Sequence, residues 1–138
     1  MEAIMGYTHY FKVLKNTDID AGYKKALPTV KKILNRHADI IQWENDDARP
    51  AQCDDEAIRF NGIGDEGHET FMFRPNQGEF DFCKTAQKDY DIVVCEVLIV
   101  LAHHIKTLTV SSDGDKGDWS DAVANVKEHY NINSQIEL

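Results

Sequence analysis

Residues able to do chemistry occur in this chain as several short clusters, and each has to be weighed against a structural role. Gly62-Ile63-Gly64-Asp65-Glu66-Gly67 spells G-x-G-x-x-G after a predicted strand. In a dinucleotide site this spelling opens a helix whose first amides receive pyrophosphate. Here the following residues, His68-Glu69-Thr70-Phe71-Met72-Phe73, have strand character, and Asp65 and Glu66 put negative charge where phosphate would lie. A hairpin loop is the better reading. The same loop gathers Asp65, Glu66, His68 and Glu69, donors of the kind that hold a divalent cation. Strand alternation puts His68 and Thr70 on one face and Glu69 and Phe71 on the other, so a solvated loop is favoured over a metal site.

Cys83 offers a second chemistry. Lys84 beside it is placed to lower the thiol pKa, and His9 or His68 is available as a base, which makes Cys83 with His68 the catalytic alternative. No cysteine-hydrolase signature surrounds the thiol, so a small packed side chain is favoured. Cys95 lies in apolar company and reads as core. Asp113 to Asp118 resembles the start of a calcium loop, but the sixth position is Asp118 and the twelfth Ala124, so a turn and helix cap fit better. His103 and His104 are adjacent, about 100° apart on a helix, and do not share a metal.

The elements that must position these groups follow from periodicity. Residues 7–13 are short, aromatic and β-branched, which predicts a strand. Thr17 is a candidate N-cap for a helix running to about His37, with Pro28 expected to kink or split it near Ala26. Residues 39–43 suggest a brief strand and 44–51 a loop. Residues 57–61 and 70–73 predict an antiparallel hairpin around the glycine loop, and 79–83 a further strand. Residues 92–104 are too long an apolar run for a strand and read as a buried helix with an Asp at its start, Asp89, Glu96 and His103 forming its wetter stripe. Residues 111–118 read as a loop, Asp118 as the cap of a helix over 119–130, and residues 132–138 as an edge strand. Clustered strands argue for an α+β fold, a mainly antiparallel sheet with about three helices packed on one face, in a single globular domain over residues 1–138.

Composition narrows the partners. Of the net charge of −9, residues 1–36 contribute +4 (seven Lys or Arg against three acids) and the remainder −13 (eight against twenty-one). Most of such a surface repels polyanions, which argues against non-specific nucleic-acid binding. Three cysteines without a CxxC pair suit a reducing cytoplasm. The N-terminal residues lack the basic and apolar regions of a signal peptide, and the longest apolar run is about half of the ~20 residues a membrane span needs. The expectation is a cytoplasmic protein with no membrane partner.

Met5-Gly6-Tyr7-Thr8-His9-Tyr10, Arg59-Phe60-Asn61-Gly62 with Gly67-His68-Glu69-Thr70-Phe71, and Phe82-Cys83-Lys84-Thr85-Ala86 with Lys88, Tyr90 and Asp91 form three blocks spanning most of the chain. In these blocks the sequence resembles a group of small uncharacterised phage and prophage proteins. The resemblance starts at Met5, which makes the first four residues an extension, and Asp89 stands where the group has proline. It implies a setting, the host-cell cytoplasm, and no reaction.

With that setting, the leading expectation is a non-catalytic protein that binds a small anionic or nucleotide-like ligand, sequestering a host defence signal. His9, Arg59, Asn61, His68, Lys84, Thr85, Lys88 and Tyr90 would supply the contacts, with Tyr7 or Tyr10 as further stacking rings. No cofactor or metal is assigned. The alternatives are a small hydrolase using Cys83, or a metal held by His68 and its acidic neighbours, and an acidic inhibitor of a host protein. Self-association stays open. The captured-ligand reading needs the three blocks to share one pocket.

Overall fold

The computed structural model describes residues 6–138; Met5 and the proposed four-residue extension lie outside them. Strand β1 (Thr8–Val13) alternates inward His9, Phe11 and Val13 with outward Tyr10 and Lys12. It is the centre of a three-stranded antiparallel sheet, flanked by β6 (Phe80–Lys84) and β7 (Leu108–Ser112). A second antiparallel sheet is built on β4 (Ile58–Gly62), which pairs with β2 (Ile41–Gln42), β3 (Gln52–Cys53) and β5 (Phe71–Phe73). With helices α1 (Asp20–Arg36), α2 (Asp91–His104) and α3 (Lys116–Tyr130), the fold is α+β with antiparallel sheets. The strands divide between two small sheets rather than joining in one. The hairpin over the glycine loop is present as β4 paired with β5.

Several local expectations need correcting. Helix α1 runs unbroken through Pro28. The proline stands on the exposed face, so the missing N–H costs only a bond to a carbonyl that water reaches, while Tyr23, Ala26, Leu27, Val30, Ile33 and Leu34 hold the opposite face in the core. Thr17 does not cap α1; its hydroxyl donates to the Leu14 carbonyl at 2.7 Å. The cap of α3 is Asp115, paired reciprocally with Asp118 in a capping box, so the helix begins three residues before Trp119. Ser111 and Ser112 belong to β7 rather than to a loop. Residues 132–138 form no strand; Ile132, Ile136 and Leu138 pack against the core instead.

Helix α2 organises the interior. Its residues from Val93 to Ala102 are all buried, which requires neighbours on every side. These include α1, α3 and β7. Glu96, expected on a wet stripe, is fully buried. Its carboxylate receives Arg36 at 2.5 Å and His37 at 3.2 Å from the end of α1, and Asn125 at 3.1 Å from α3. Arg36 also donates to Tyr130 Oη at 2.7 Å. One carboxylate thus fastens three helices. Burial pushes its pKa up, but hydrogen bonds from His37 and Asn125 and the charges of His37 and Arg36 outweigh that and hold it below the ordinary range.

Because the folded pKa is depressed, the stability this group contributes is complete above its unfolded value of about 4.3 and is lost as pH falls through the folded value. Glu96→Gln is expected to lower unfolding free energy by about 3 kcal/mol at neutral pH. Urea titrations of both proteins should converge on acidification below about pH 4. Equal stability at neutral pH, or parallel acid limbs, rules out the carboxylate as the fastener.

Candidate functional site

Parts of the three sequence blocks meet at one end of the first sheet: His9 from the first, Glu69 from the second and Cys83 to Asp91 from the third. Register puts His9 opposite Cys83 on β6 and Ser112 on β7. The imidazole points inward to the first turn of α2, where Nε2 lies 2.6 Å from Asp91 Oδ1, while Nδ1 lies 2.8 Å from Ser112 Oγ. Thr85 donates to the same Asp91 oxygen at 2.5 Å, and Cys95, one turn along α2, brings its sulfur to 3.6 Å from Nε2. Tyr7 and Trp119 meet the ring edge-on, with centroids 5.3 and 5.1 Å away.

Donor counting fixes the protons. Ser112 Oγ accepts the Gly114 N–H at 2.9 Å and the Trp119 Nε1–H at 3.1 Å, which uses both of its lone pairs. Its own hydrogen is left for His9 Nδ1, so Nε2 carries the imidazole proton and donates to Asp91. Asp91, His9 and Ser112 are connected in the order of a nucleophilic triad. Ser112 has no free lone pair with which to attack, however, and His9 is fully buried. As it stands, the arrangement is an internal relay that ties β1, β7 and α2 together.

The second block is used in a similar way. Asn61 is buried and organises the glycine loop: its Oδ1 accepts the Gly62 and His68 amides at 2.7 and 3.0 Å, and its Nδ2 donates to the His68 carbonyl and Thr70 Oγ1. A side chain at Gly62 would strike the Glu66 carbonyl, and Gly64 has φ +56°, so these glycines serve a tight turn. The acids of the loop point to different partners. Glu66 accepts from the Asp89 amide and Glu69 from the Lys84 amide, while the Glu69 carbonyl receives Tyr90 Oη at 2.5 Å and Cys83 Sγ at 3.5 Å. They do not converge on a cation with His68.

Of the eight residues expected to contact ligand, His9, Asn61, Thr85 and Tyr90 are therefore buried and bonded internally. His68 and Lys84 are exposed and Lys88 half-buried, and none of the three lines a described cleft. The expected lowering of the Cys83 pKa is not found; the shift is upward. The thiol is 1% exposed, and its burial, with Glu69 next in effect, pushes its pKa well above the usual range. Cys95 shifts the same way for the same first reason, and Cys53 is pushed up to about 11 by burial.

Arg59 has a different place. It projects from β4 onto the outer face of the second sheet, between Gln52 on β3 and Met72 on β5. Its guanidinium pairs with Glu44 and lies over one ring, Trp43, which also carries Arg49, each at 4.5 Å. Its Nε is buried and has no hydrogen-bond partner. Beside it opens a cleft of about 530 Å³ lined by Gln52, Glu56, Arg59, Met72, Arg74 and Asn76 among others. Arg74 forms no ion pair among the described residues. Sequence spacing does not single out Trp43, Arg74 or Ser112, because contacts between segments distant in the chain unite them with their neighbours. Asp91 and Cys95 do carry a local signal, the i,i+4 spacing of a helical pair.

Compared with known proteins, the chain matches no family model, and no curated protein or solved structure is significantly similar to it.

Two outcomes follow from the geometry. Asn61→Ala strands the Gly62 and His68 amides and should cost about 1–3 kcal/mol, with faster hydrogen exchange confined to the loop; an unchanged loop denies Asn61 its organising role. Under native conditions at neutral pH, an alkylating reagent should leave Cys83 and Cys95 unmodified and label Cys53 slowly, whereas all three react in denaturant; rapid native labelling of Cys83 revives the nucleophile reading.

Proposed function

We propose that this protein binds a small anionic, nucleotide-like ligand without turning it over, and that the cleft beside Arg59 receives it. The observation that carries this reading is a cleft lined by two arginine side chains, Arg59 and Arg74, the second of which forms no ion pair among the described residues. Arg59 Nε is closed off from solvent and lacks an acceptor, so a ligand gains that bond only if the side chain shifts to meet it. Trp43 fixes the plane of the Arg59 fork, and such pre-organisation favours the bidentate geometry that carboxylates and phosphates prefer. Gln52 and Asn76 add amide donors able to read a polar ring edge. The volume is in the range of small-molecule sites.

Glu44 already neutralises part of the Arg59 charge and Glu56 stands in the lining, so a ligand must displace Glu44 from the guanidinium to use it. A phosphate group competes with a carboxylate better than a neutral sugar or base does, so the ligand class is set by phosphate. Non-catalytic capture fits the state of the nucleophiles: Cys83 and Cys95 are buried, and Ser112 has both lone pairs occupied. In a phage setting, capture without turnover amounts to sequestration of a host signalling molecule.

The test is calorimetric and thermal-shift titration with pyrophosphate, mononucleotides and cyclic dinucleotides. At one hundred times its Kd a ligand adds about 2.7 kcal/mol to stability. Arg59→Lys and Arg74→Ala should each weaken binding about tenfold, equivalent to about 1.4 kcal/mol, and the ligand should be recovered intact. A panel that leaves the melting temperature unmoved defeats the reading, as does undiminished binding by both variants.

A second reading, contact with a host protein or another copy of the chain, is favoured by one patch. Phe80 and Phe82 on β6 are 58% and 41% exposed, and Tyr10 stacks on Phe80 at 6.2 Å. An aromatic face of this kind suits a protein surface. Phe80→Ser with Phe82→Ser should abolish any association seen by sedimentation while sparing anion binding; association that persists in the double variant removes this patch from consideration.

A further inference from the structure

Among the described residues, His9, Asp91 and Cys95 bring imidazole nitrogen, carboxylate oxygen and thiol sulfur within 4.8 Å of one another. We propose that these three side chains form a binding site for a late first-row divalent cation, zinc(II) foremost. The donor set is of the mixed nitrogen, oxygen and sulfur type that zinc takes. Asp91 and Cys95 stand at i and i+4 on α2, the spacing that presents two helical side chains to one ion, and His9 faces them from β1.

The distances support the assignment. Zinc bonds of about 2.0 Å to nitrogen or oxygen and 2.3 Å to sulfur, arranged tetrahedrally, require edges of about 3.3–3.6 Å between ligand atoms. The sulfur already lies 3.6 Å from His9 Nε2 and 3.8 Å from Asp91 Oδ2. One Asp91 oxygen must serve both partners, so the carboxylate, whose Oδ1 is now 2.6 Å from Nε2 and also takes the Thr85 hydroxyl, has to turn as well as withdraw, within a cluster whose donor atoms lie no more than 4.8 Å apart. Asp91 is the group with freedom to give: it begins α2, and its side chain is 16% exposed, whereas His9 is fully enclosed. That partly exposed side is the direction from which an ion and a fourth, water ligand would enter. Tyr7, which meets His9 edge-on, adds a buried hydroxyl without a partner to the surroundings.

Proton accounting is explicit. Binding forms bonds from the ion to sulfur, nitrogen and oxygen. The Cys95 thiol releases its proton to solvent. The proton on His9 Nε2 is lost as Nδ1 gains one, so the imidazole stays neutral and one proton leaves per ion. Nδ1–H then donates to Ser112, whose hydroxyl hydrogen turns away, and the Trp119 Nε1–H bond to the same oxygen loosens. Trp119 emission should therefore respond to binding.

The experiment titrates the chelator-treated full chain with zinc(II) and cobalt(II). Expected are one ion per chain, about one proton released, a near-ultraviolet thiolate-to-cobalt band, a change in tryptophan emission, and reversal by chelator. Cys95→Ser should lose the band and bind about tenfold more weakly or worse. Cys83→Ser, which removes an equally buried thiol outside the cluster, should keep both. If Cys95→Ser does not fold, Asp91→Asn takes its place, read by the same affinity loss with the band retained at higher cobalt. Failure of both ions to bind, or equal effects of Cys83→Ser and Cys95→Ser, overturns the site. The anion titration at Arg59 is independent of either result.

Discussion

A helix that is apolar on every side and yet carries two carboxylates sets the terms for this structure. From Val93 to Ala102 no residue of α2 reaches solvent appreciably, so the helix is stable only when enclosed. Glu96 within that stretch and Asp91 at its start would each cost several kcal/mol if left unpaired. Their partners are therefore obligatory, and they come from elements distant in sequence. Glu96 recruits the end of α1 and the middle of α3, and Asp91 recruits β1 and the residue after β6. Hydrophobic burial holds the layers together, and the two acids determine how they are oriented.

That constraint accounts for the fate of the polar residues that look like ligand contacts. A histidine, a threonine and an asparagine near strand ends satisfy the demands of a pocket and those of a buried junction equally well, since both need short side chains that donate and accept at fixed angles. His9 and Thr85 complete the coordination of Asp91, and Asn61 closes a loop that has no regular strand to pair with. Parts of the three blocks do come together, and the space they share is filled by their own hydrogen bonds, while Arg59 stands apart on the second sheet.

Legibility followed sequence distance. The existence of β1, the β4–β5 hairpin, and helices α1 and α2 is readable because residues a few positions apart determine them. β7 was not: Leu108-Thr109-Val110-Ser111-Ser112 is a weak strand by itself and exists because β1 lies beside it. The tail shows the opposite error, since strand-forming residues at 132–138 find no partner edge and pack as irregular chain. Pro28 was misjudged because its cost depends on which face of α1 meets water. Glu96 was misjudged because heptad spacing groups residues on one stripe without saying whether the stripe faces solvent or a cation. For the site, Arg59 alone among the candidates reaches a described cleft, and its companions Arg74 and Trp43 are joined to it by cross-strand neighbourhood that no local pattern encodes.

The two sheets differ in what they leave free. In the first, the inner face is sealed on α2 and even the outer edge of β6 is partly closed by Asp81 and Glu69, whose side chains take the Phe82 and Lys84 amides. Such blunting limits strand addition and leaves only the aromatic outer face available. In the second, β2 and β3 have two residues each and connect through the long polar stretch that carries Trp43, Glu44 and Arg49. Few ladder bonds hold this part, so it can open locally at lower cost than the α2 junction, a property that the proposed anion site calls for. The second sheet is thus the part of the fold where a change of shape disturbs neither Glu96 nor Asp91.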